Sequence, residues 1–277
     1  MEKAVVFERN SFGKRMKSML RVDIRRMLRS RLFYIMLACA LLIPIVMTVM
    51  LTMMDGQETV NQQTGEITVM EGPDSVWQSI GTQPSDTPPD SDMAAMGGMD
   101  VMAMCNINMA FMGVAVFVCL FISDDFRSGY AKNLFTVRAR KTDYVISKTL
   151  VGWLCGAWML ILYFIGAMIA GAITGLPFAP VGSMTYGSVV MCMLAKVFLM
   201  LVFVAIFTLI SVSAKQKAWL SICCSLGGGM LLFMTVSMIT PLDATPLHVL
   251  LCLLGGSLFA LGLGSISNVV LNKTSMV

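Results

Sequence analysis

Apolar stretches long enough to cross a bilayer, with the charges between them kept to one side, constrain this chain more than any motif it contains. Between Asp55 and Asp100 lie nine Asp and Glu and no Lys or Arg. The first 31 residues carry ten Lys and Arg, and residues 123–148 carry six more. This is the positive-inside pattern, in which cationic loops stay on the cytoplasmic face. A window of about 19 residues finds six apolar spans, near 32–54, 101–122, 149–173, 187–211, 217–239 and 248–268. The expected fold is an all-α polytopic membrane protein of six transmembrane helices, with cytoplasmic N- and C-termini. Under that topology 19 of the 20 Lys and Arg lie inside or at inside span ends, and none lies outside. Lys196 alone falls within a span.

Composition excludes other classes. The 277 residues are 57% hydrophobic with a mean hydropathy of +0.78, too apolar for a soluble domain. Nucleic acid is not an expected partner, because the basic residues border apolar spans rather than interleave with stacking aromatics. The eight cysteines (Cys39, Cys105, Cys119, Cys155, Cys192, Cys223, Cys224 and Cys252) all lie within or beside apolar runs, so they read as packing residues. No extracellular disulfide framework and no metal site is implied. The basic stretch before Leu32 is too long for the n-region of a cleaved signal, so the first apolar segment is expected to remain a span. No repeat of 20–50 residues is visible.

Residues 12–31 have helical amphipathicity. Phe12, Met16, Met19, Leu20, Ile24, Met27 and Leu28 share one half of the wheel. Lys14, Arg15, Arg21, Arg25, Arg26 and Arg29 share the other, with Lys17 on the border and Val22 and Asp23 departing from the pattern. Such a helix lies in the headgroup boundary and offers its cations to anionic lipid. Anchoring and docking of a partner both fit it. The 55–100 loop, punctuated by Pro73, Pro84, Pro88 and Pro89, is expected to be poorly ordered or to hold only short helices.

The inside stretch after the second span carries the most information. Asp124 and Asp125 close that span, Gly129 permits a turn, and a short amphipathic piece (Leu134, Phe135, Val137) is flanked by Arg127, Lys132, Arg138, Arg140 and Lys141. A short helix across the ends of two spans can transmit a push from a soluble partner. An ordinary positively charged loop has the same composition.

This stretch resembles the segment between the second and third spans of ABC-2 type transporter permeases. The matching residues are Asp125, Gly129, Lys132-Asn133-Leu134, Lys141 and Tyr144-Val145-Ile146-Ser147-Lys148; Arg138 stands where the family usually has Pro. The likeness extends to the six-span layout, the amphipathic N-terminal helix and the large first outside loop. It implies a six-span permease domain over 32–277, preceded by a cytoplasmic helix over 1–31, in a bacterial cytoplasmic membrane. It also implies that the 123–148 segment couples to a cytoplasmic ATPase, with two permease subunits, alike or related, pairing with two ATPases. The sequence holds no Gly-x4-Gly-Lys-Ser/Thr, so ATP and Mg would sit on the partner and no cofactor on this chain.

Other residues bear chemistry less specifically. Lys196 within a span is costly and therefore a functional candidate, facing either a pore or, by snorkelling, the outer interface. Met93, Met96, Met99 and Met102, followed by Met104 and Met109, could ligate Cu(I), but methionine is abundant throughout (27 in all) and packing explains it equally. Gly227, Gly228, Gly229, Gly255, Gly256, Gly262 and Gly264 allow close helix approach or local bending, with packing the default over a gating hinge. The single histidine, His248, leaves no base for a nucleophile, so the chain itself is not expected to be an enzyme. The expected function is the permease of an ATP-driven exporter, whose Met-rich path suits antimicrobial peptides or drugs. An ATP-independent carrier and a non-transporting scaffold or sensor are the alternatives. Scarce intramembrane acids weigh against the carrier.

Overall fold

A computed structural model describes residues 12–60, 67–69, 72–81, 106–137, 141–180 and 182–273. Its helices are α1 (Phe12–Arg29), α2 (Arg31–Met53), α3 (Met109–Arg127), α4 (Tyr130–Val137), α5 (Lys141–Thr174), α6 (Tyr186–Ala214), α7 (Ala218–Ile239) and α8 (Pro246–Lys273). Five of them, α2, α3, α5, α6 and α8, are long and apolar enough to cross a membrane. A sixth apolar helix, α7, runs from Ala218 to Ile239.

The helices begin and end where local chemistry directs rather than where hydropathy falls off. Just before α3 begins at Met109, Asn106 folds a turn, its side-chain oxygen accepting from the Asn108 N–H at 2.9 Å. At its other end α3 runs five residues past the expected 122, to Arg127. The chain then reverses at Gly129, whose φ of +73° suits a residue without Cβ. The third span's helix begins at Lys141, eight residues before the apolar stretch. Nothing from 141 to 149 breaks a helix, and Asp143 in the first turn favours one. That extension carries Tyr144, Ser147 and Lys148 onto the same rigid rod as the span. At the start of α6, Thr185 and Ser188 form a reciprocal capping box.

The most extensive helix contacts join α6 to α8 and α2 to α5. Glycine makes both approaches possible. A Cβ on Gly166 would meet the Leu41 carbonyl oxygen beside Pro44, and one on Gly256 would lie 2.7 Å from the Phe198 carbonyl oxygen. Gly256 thus shows the close packing that the sequence suggested for the sixth span. Gly227 and Gly228 face open space instead. Between these pairs runs α3, with Phe111 edge-on to Phe203 of α6 at 4.7 Å and Val114, Phe117 and Val118 buried. By contrast, α8 leaves Leu250, Leu251, Leu254, Leu258 and Leu261 exposed. Exposed leucine in that number is tolerable only against lipid or another apolar surface.

The described part of the 55–100 loop differs from the expectation of disorder or short helices alone. Glu58–Val60 pairs antiparallel with Ile67–Val69. A short 3-10 helix, Val76–Ser79, then packs over the bundle, with Trp77 and Ile80 buried and Trp77 Nε1 donating to the Ala179 carbonyl at 3.1 Å. Trp77 supplies apolar area that a Pro- and Gly-rich composition otherwise lacks. Met93, Met96, Met99, Met102 and Met104 lie outside the described residues, while Met109 is exposed at the start of α3. Among the described residues no group of three or more His, Cys, Asp or Glu is placed to hold a metal.

Candidate functional site: two polar knots on one helix

The expected interfacial helix does more than lie on a membrane. Its buried stripe is Met19, Asp23 and Met27, spaced four residues apart, and this stripe faces the neighbouring helices. Lys14, Arg21, Arg25 and Arg29 remain exposed, whereas Arg15 and Arg26 turn inward. Arg15 Nε donates to Asp143 Oδ2 of α5 at 3.1 Å. Asp23, an irregularity in the amphipathic pattern, is fully buried and is where α1 is fastened.

Around Asp23 four charges form a closed ring. Lys148 Nζ of α5 lies 2.8 Å from Asp23 Oδ1 and 2.7 Å from Asp125 Oδ2 of α3. Arg26 Nη2 lies 2.6 Å from Asp125 Oδ1, and Arg26 Nη1 is 3.8 Å from Asp23 Oδ1. Ser147 Oγ donates to Asp23 Oδ2 at 2.6 Å, and the Tyr144 hydroxyl donates to Asp125 Oδ2 at 3.0 Å. Two cations against two carboxylates leave no net charge, which is what burial requires. The Arg26 contact with Asp125 Oδ1 is off the hydrogen-bonding line, so attraction between charges, rather than an aligned bond, closes the ring there.

Aromatic faces complete the shell. Lys148 Nζ sits 4.1 Å from the Phe121 ring centroid, and the Arg26 guanidinium carbon sits 4.1 Å from that of Tyr130 in α4. Burial works against the Arg26 charge, but Asp125 and then Asp23 outweigh it and raise the Arg26 pKa above its usual value. Burial also raises the Tyr130 phenol, reinforced by Asp23, so its ring faces Arg26 as a neutral π-donor. α1, α3, α4 and α5 are thereby locked together.

The ring sorts the loop residues singled out in the sequence. Asp125 is fully buried and holds the ring, so it has no surface to offer a partner. Asp124, Arg127 and Lys132 are exposed, and Gly129 sets the reversal that aims α4. Lys141 Nζ donates to the Leu271 carbonyl at 2.7 Å, tying the start of α5 to the last turn of α8. Arg138 and Arg140 lie outside the described residues.

A second knot lies at the opposite end of α3. Lys196 is fully buried, and its ammonium donates to Asn108 Oδ1 at 2.8 Å and Thr240 Oγ1 at 2.9 Å. Asn108 Nδ2 in turn donates to Ser237 Oγ at 3.0 Å, and Cys192 Sγ to the Thr240 carbonyl at 3.3 Å. The ammonium does not reach the surface. Its partners are neutral, and Thr240 closes α7, where the negative end of the helix dipole favours a cation. His248 binds locally, its Nδ1 accepting from the Thr245 N–H at 3.2 Å.

The model of the ABC-2 family transporter proteins matches residues 20–232, which include α1 from its middle, the whole ring, and Asn108, Cys192 and Lys196 of the second knot but not its Ser237 and Thr240. The chain belongs to that family. As an ABC-2 family protein it is a multi-pass membrane component of an ABC transporter and associates with an ABC ATPase. No curated protein and no solved structure matches it. Within this ABC-2 chain, Tyr144, Ser147 and Lys148 lie in the segment that carries the family likeness, but Asp23, the partner of Ser147 and Lys148, lies far outside it. The signal was present: an acid on a cationic helix, four residues from Met19 and Met27 and three from Arg26. Asn108, Ser237 and Thr240 gave no comparable signal, because neutral polar residues at span ends are common.

Proposed function

We propose that the chain is the permease of an ABC exporter. Its six spans are α2, α3, α5, α6, α7 and α8, with both termini cytoplasmic and α1 lying along the inner interface. Two such subunits, alike or related, pair with two ATPase subunits, which bind the ATP and Mg. The observation that carries this reading is the placement of α4. It leaves Lys132 exposed, while Tyr130 packs on the buried ring. A push on that exposed face reaches α3 through Asp125 and α5 through Lys148 without passing through a flexible joint. Arg127, Lys132 and Lys141 lie in and on either side of α4 in the sequence, in keeping with a cytoplasmic segment.

The exported substrate is an amphipathic peptide or a hydrophobic drug, for which a Met-rich apolar path is adaptable. The test is co-purification from native membranes followed by ATPase and transport assays. A stoichiometric partner bearing a Gly-x4-Gly-Lys-Ser/Thr sequence is expected. Lys132→Glu, on an exposed position, should release that partner or uncouple hydrolysis from transport while membrane insertion and thermal stability stay at the wild-type level. An unchanged complex with unchanged coupling in both Lys132→Glu and Gly129→Val would refute the docking role of α4.

A further inference from the structure

A cavity of about 240 Å³ opens beside the ring but outside it, lined by Ser30, Leu32, Phe121, Ser123, Asp124, Arg127 and Ala218, with Leu120 at its wall. Two helices begin at its edge. Ser30 precedes α2 and Lys217 precedes α7, and neither side chain caps its helix; in α7 the Ala218 N–H turns back to the Gln216 carbonyl at 3.0 Å, and the N–H groups after it, like the first ones of α2, lack the usual side-chain acceptor. Arg127 lines the same space and takes part in none of the ion pairs among the described residues. Ser123 is 1% exposed, lines the cavity, and its hydroxyl has no hydrogen-bond partner. A buried hydroxyl without a partner is a cost that a polar ligand removes.

The donors point to an anion, and Asp124 adds a requirement for a cation next to it. Two helix N-termini, a guanidinium and a hydroxyl are a phosphate-binding set. The surroundings select the source. Trp219 and Tyr34, 78% and 56% exposed, stand on the helices that border the cavity, as aromatic residues do at the headgroup level of a bilayer. The volume equals that of roughly eight waters at about 30 Å³ each, and phosphoethanolamine has about that many non-hydrogen atoms.

We propose that this cavity binds the headgroup of an aminophospholipid of the phosphatidylethanolamine class. Arg127, Ser123 and the two helix N-termini take the phosphate, and Asp124 takes the primary ammonium. A choline headgroup has no N–H donor for Asp124, and a glycerol headgroup has no cation. The lipid so held would fill the notch between the α1–α2 joint, the end of α3 and the start of α7.

The full chain is reconstituted in nanodiscs of equal parts phosphatidylethanolamine, phosphatidylglycerol and phosphatidylcholine, then extracted gently and weighed by native mass spectrometry. One retained phosphatidylethanolamine per chain is expected, favoured about tenfold or more over the other two lipids. Arg127→Gln should abolish retention of any phospholipid. Asp124→Asn should keep a phospholipid but lose the preference among headgroups. Ala218→Glu places a carboxylate in the cavity at a helix start that favours one, so the fold persists while retention is lost. Equal retention in wild type, Arg127→Gln and Ala218→Glu would overturn the proposal. So would displacement of the lipid by millimolar inorganic phosphate, which would identify the site as one for free phosphate.

Discussion

Replacing Lys148 with Met tests whether the buried ring, rather than apolar packing alone, holds α1 and α3 against α5. The substitution keeps the side chain's length and removes its charge. It leaves Asp23 and Asp125, both fully buried, sharing Arg26 as their one remaining cation. Removing one partner from a buried ion pair costs about 3–5 kcal/mol, chiefly through the charge left behind. Lys148 serves two carboxylates at 2.7 and 2.8 Å, which places it at the upper end. The double variant Lys148→Met with Asp23→Asn restores neutrality, because Arg26 and Asp125 then pair alone. It should recover most of the loss, giving a coupling energy of about 2 kcal/mol or more between the two positions. The assay is reversible unfolding in mixed micelles titrated with a denaturing detergent and followed by tryptophan fluorescence. A Lys148→Met variant within about 1 kcal/mol of wild type, or a double variant equal to the sum of its singles, would refute the reasoning.

Two further substitutions probe the rest of the bundle. Lys196→Met removes a buried ammonium that has only neutral partners; the charge's burial costs several kcal/mol and the two charge-assisted bonds to Asn108 and Thr240 return about 1.5–3 kcal/mol each, so the two terms nearly cancel and the same titration should show a stability close to wild type. A clear loss would mean that the knot is a net stabiliser. Gly166→Ala should cost about 1–3 kcal/mol by driving α2 off α5, since its Cβ meets the rigid Leu41 carbonyl. Gly228→Ala, into open space, should hold or raise the melting temperature. Equal effects at the two glycines would remove close approach as the explanation.

The sequence made the spans legible because lipid imposes a length and a polarity on them, and α2, α6 and α8 begin or end within a few residues of the apolar stretches. Helix ends were less legible where polar residues continue a helix beyond its apolar part. The extension of α5 back to Lys141 is the important instance, since hydropathy cannot register that Lys148 and the span form one rod. The amphipathic stripe of α1 was readable, but the binary reading treated Asp23 as noise. Its meaning depends on Lys148, 125 positions away, and no local pattern conveys such a pairing. The Lys196 knot was half legible: the cation stood out, and its neutral partners at the ends of α3 and α7 did not. Trp77 shows the opposite bias, because a composition of Gly, Pro and acid hid one residue able to fix the loop to the bundle.

The two knots sit at opposite ends of one helix. Asn108 and Asp125 are separated along α3 by about 26 Å at 1.5 Å per residue, close to the thickness of a hydrocarbon core. Between them Val118 and Val114 sit in the notches that Gly152 and Gly156 leave on α5, where a Cβ would lie 2.8 and 3.2 Å from their methyl groups. The hydrogen-bonded charges at the two ends add to this keying, because in a medium without water a broken contact finds no substitute. α3 is thus held along its length and at both ends. A displacement of α4 would enter the bundle at the Asp125 end and act on the Asn108–Lys196 contact as a lever acts on its far support. In this arrangement Lys196 need not meet substrate to matter: its two bonds to neutral acceptors are weaker than the four-charge ring, so the end away from α4 is the one that yields first.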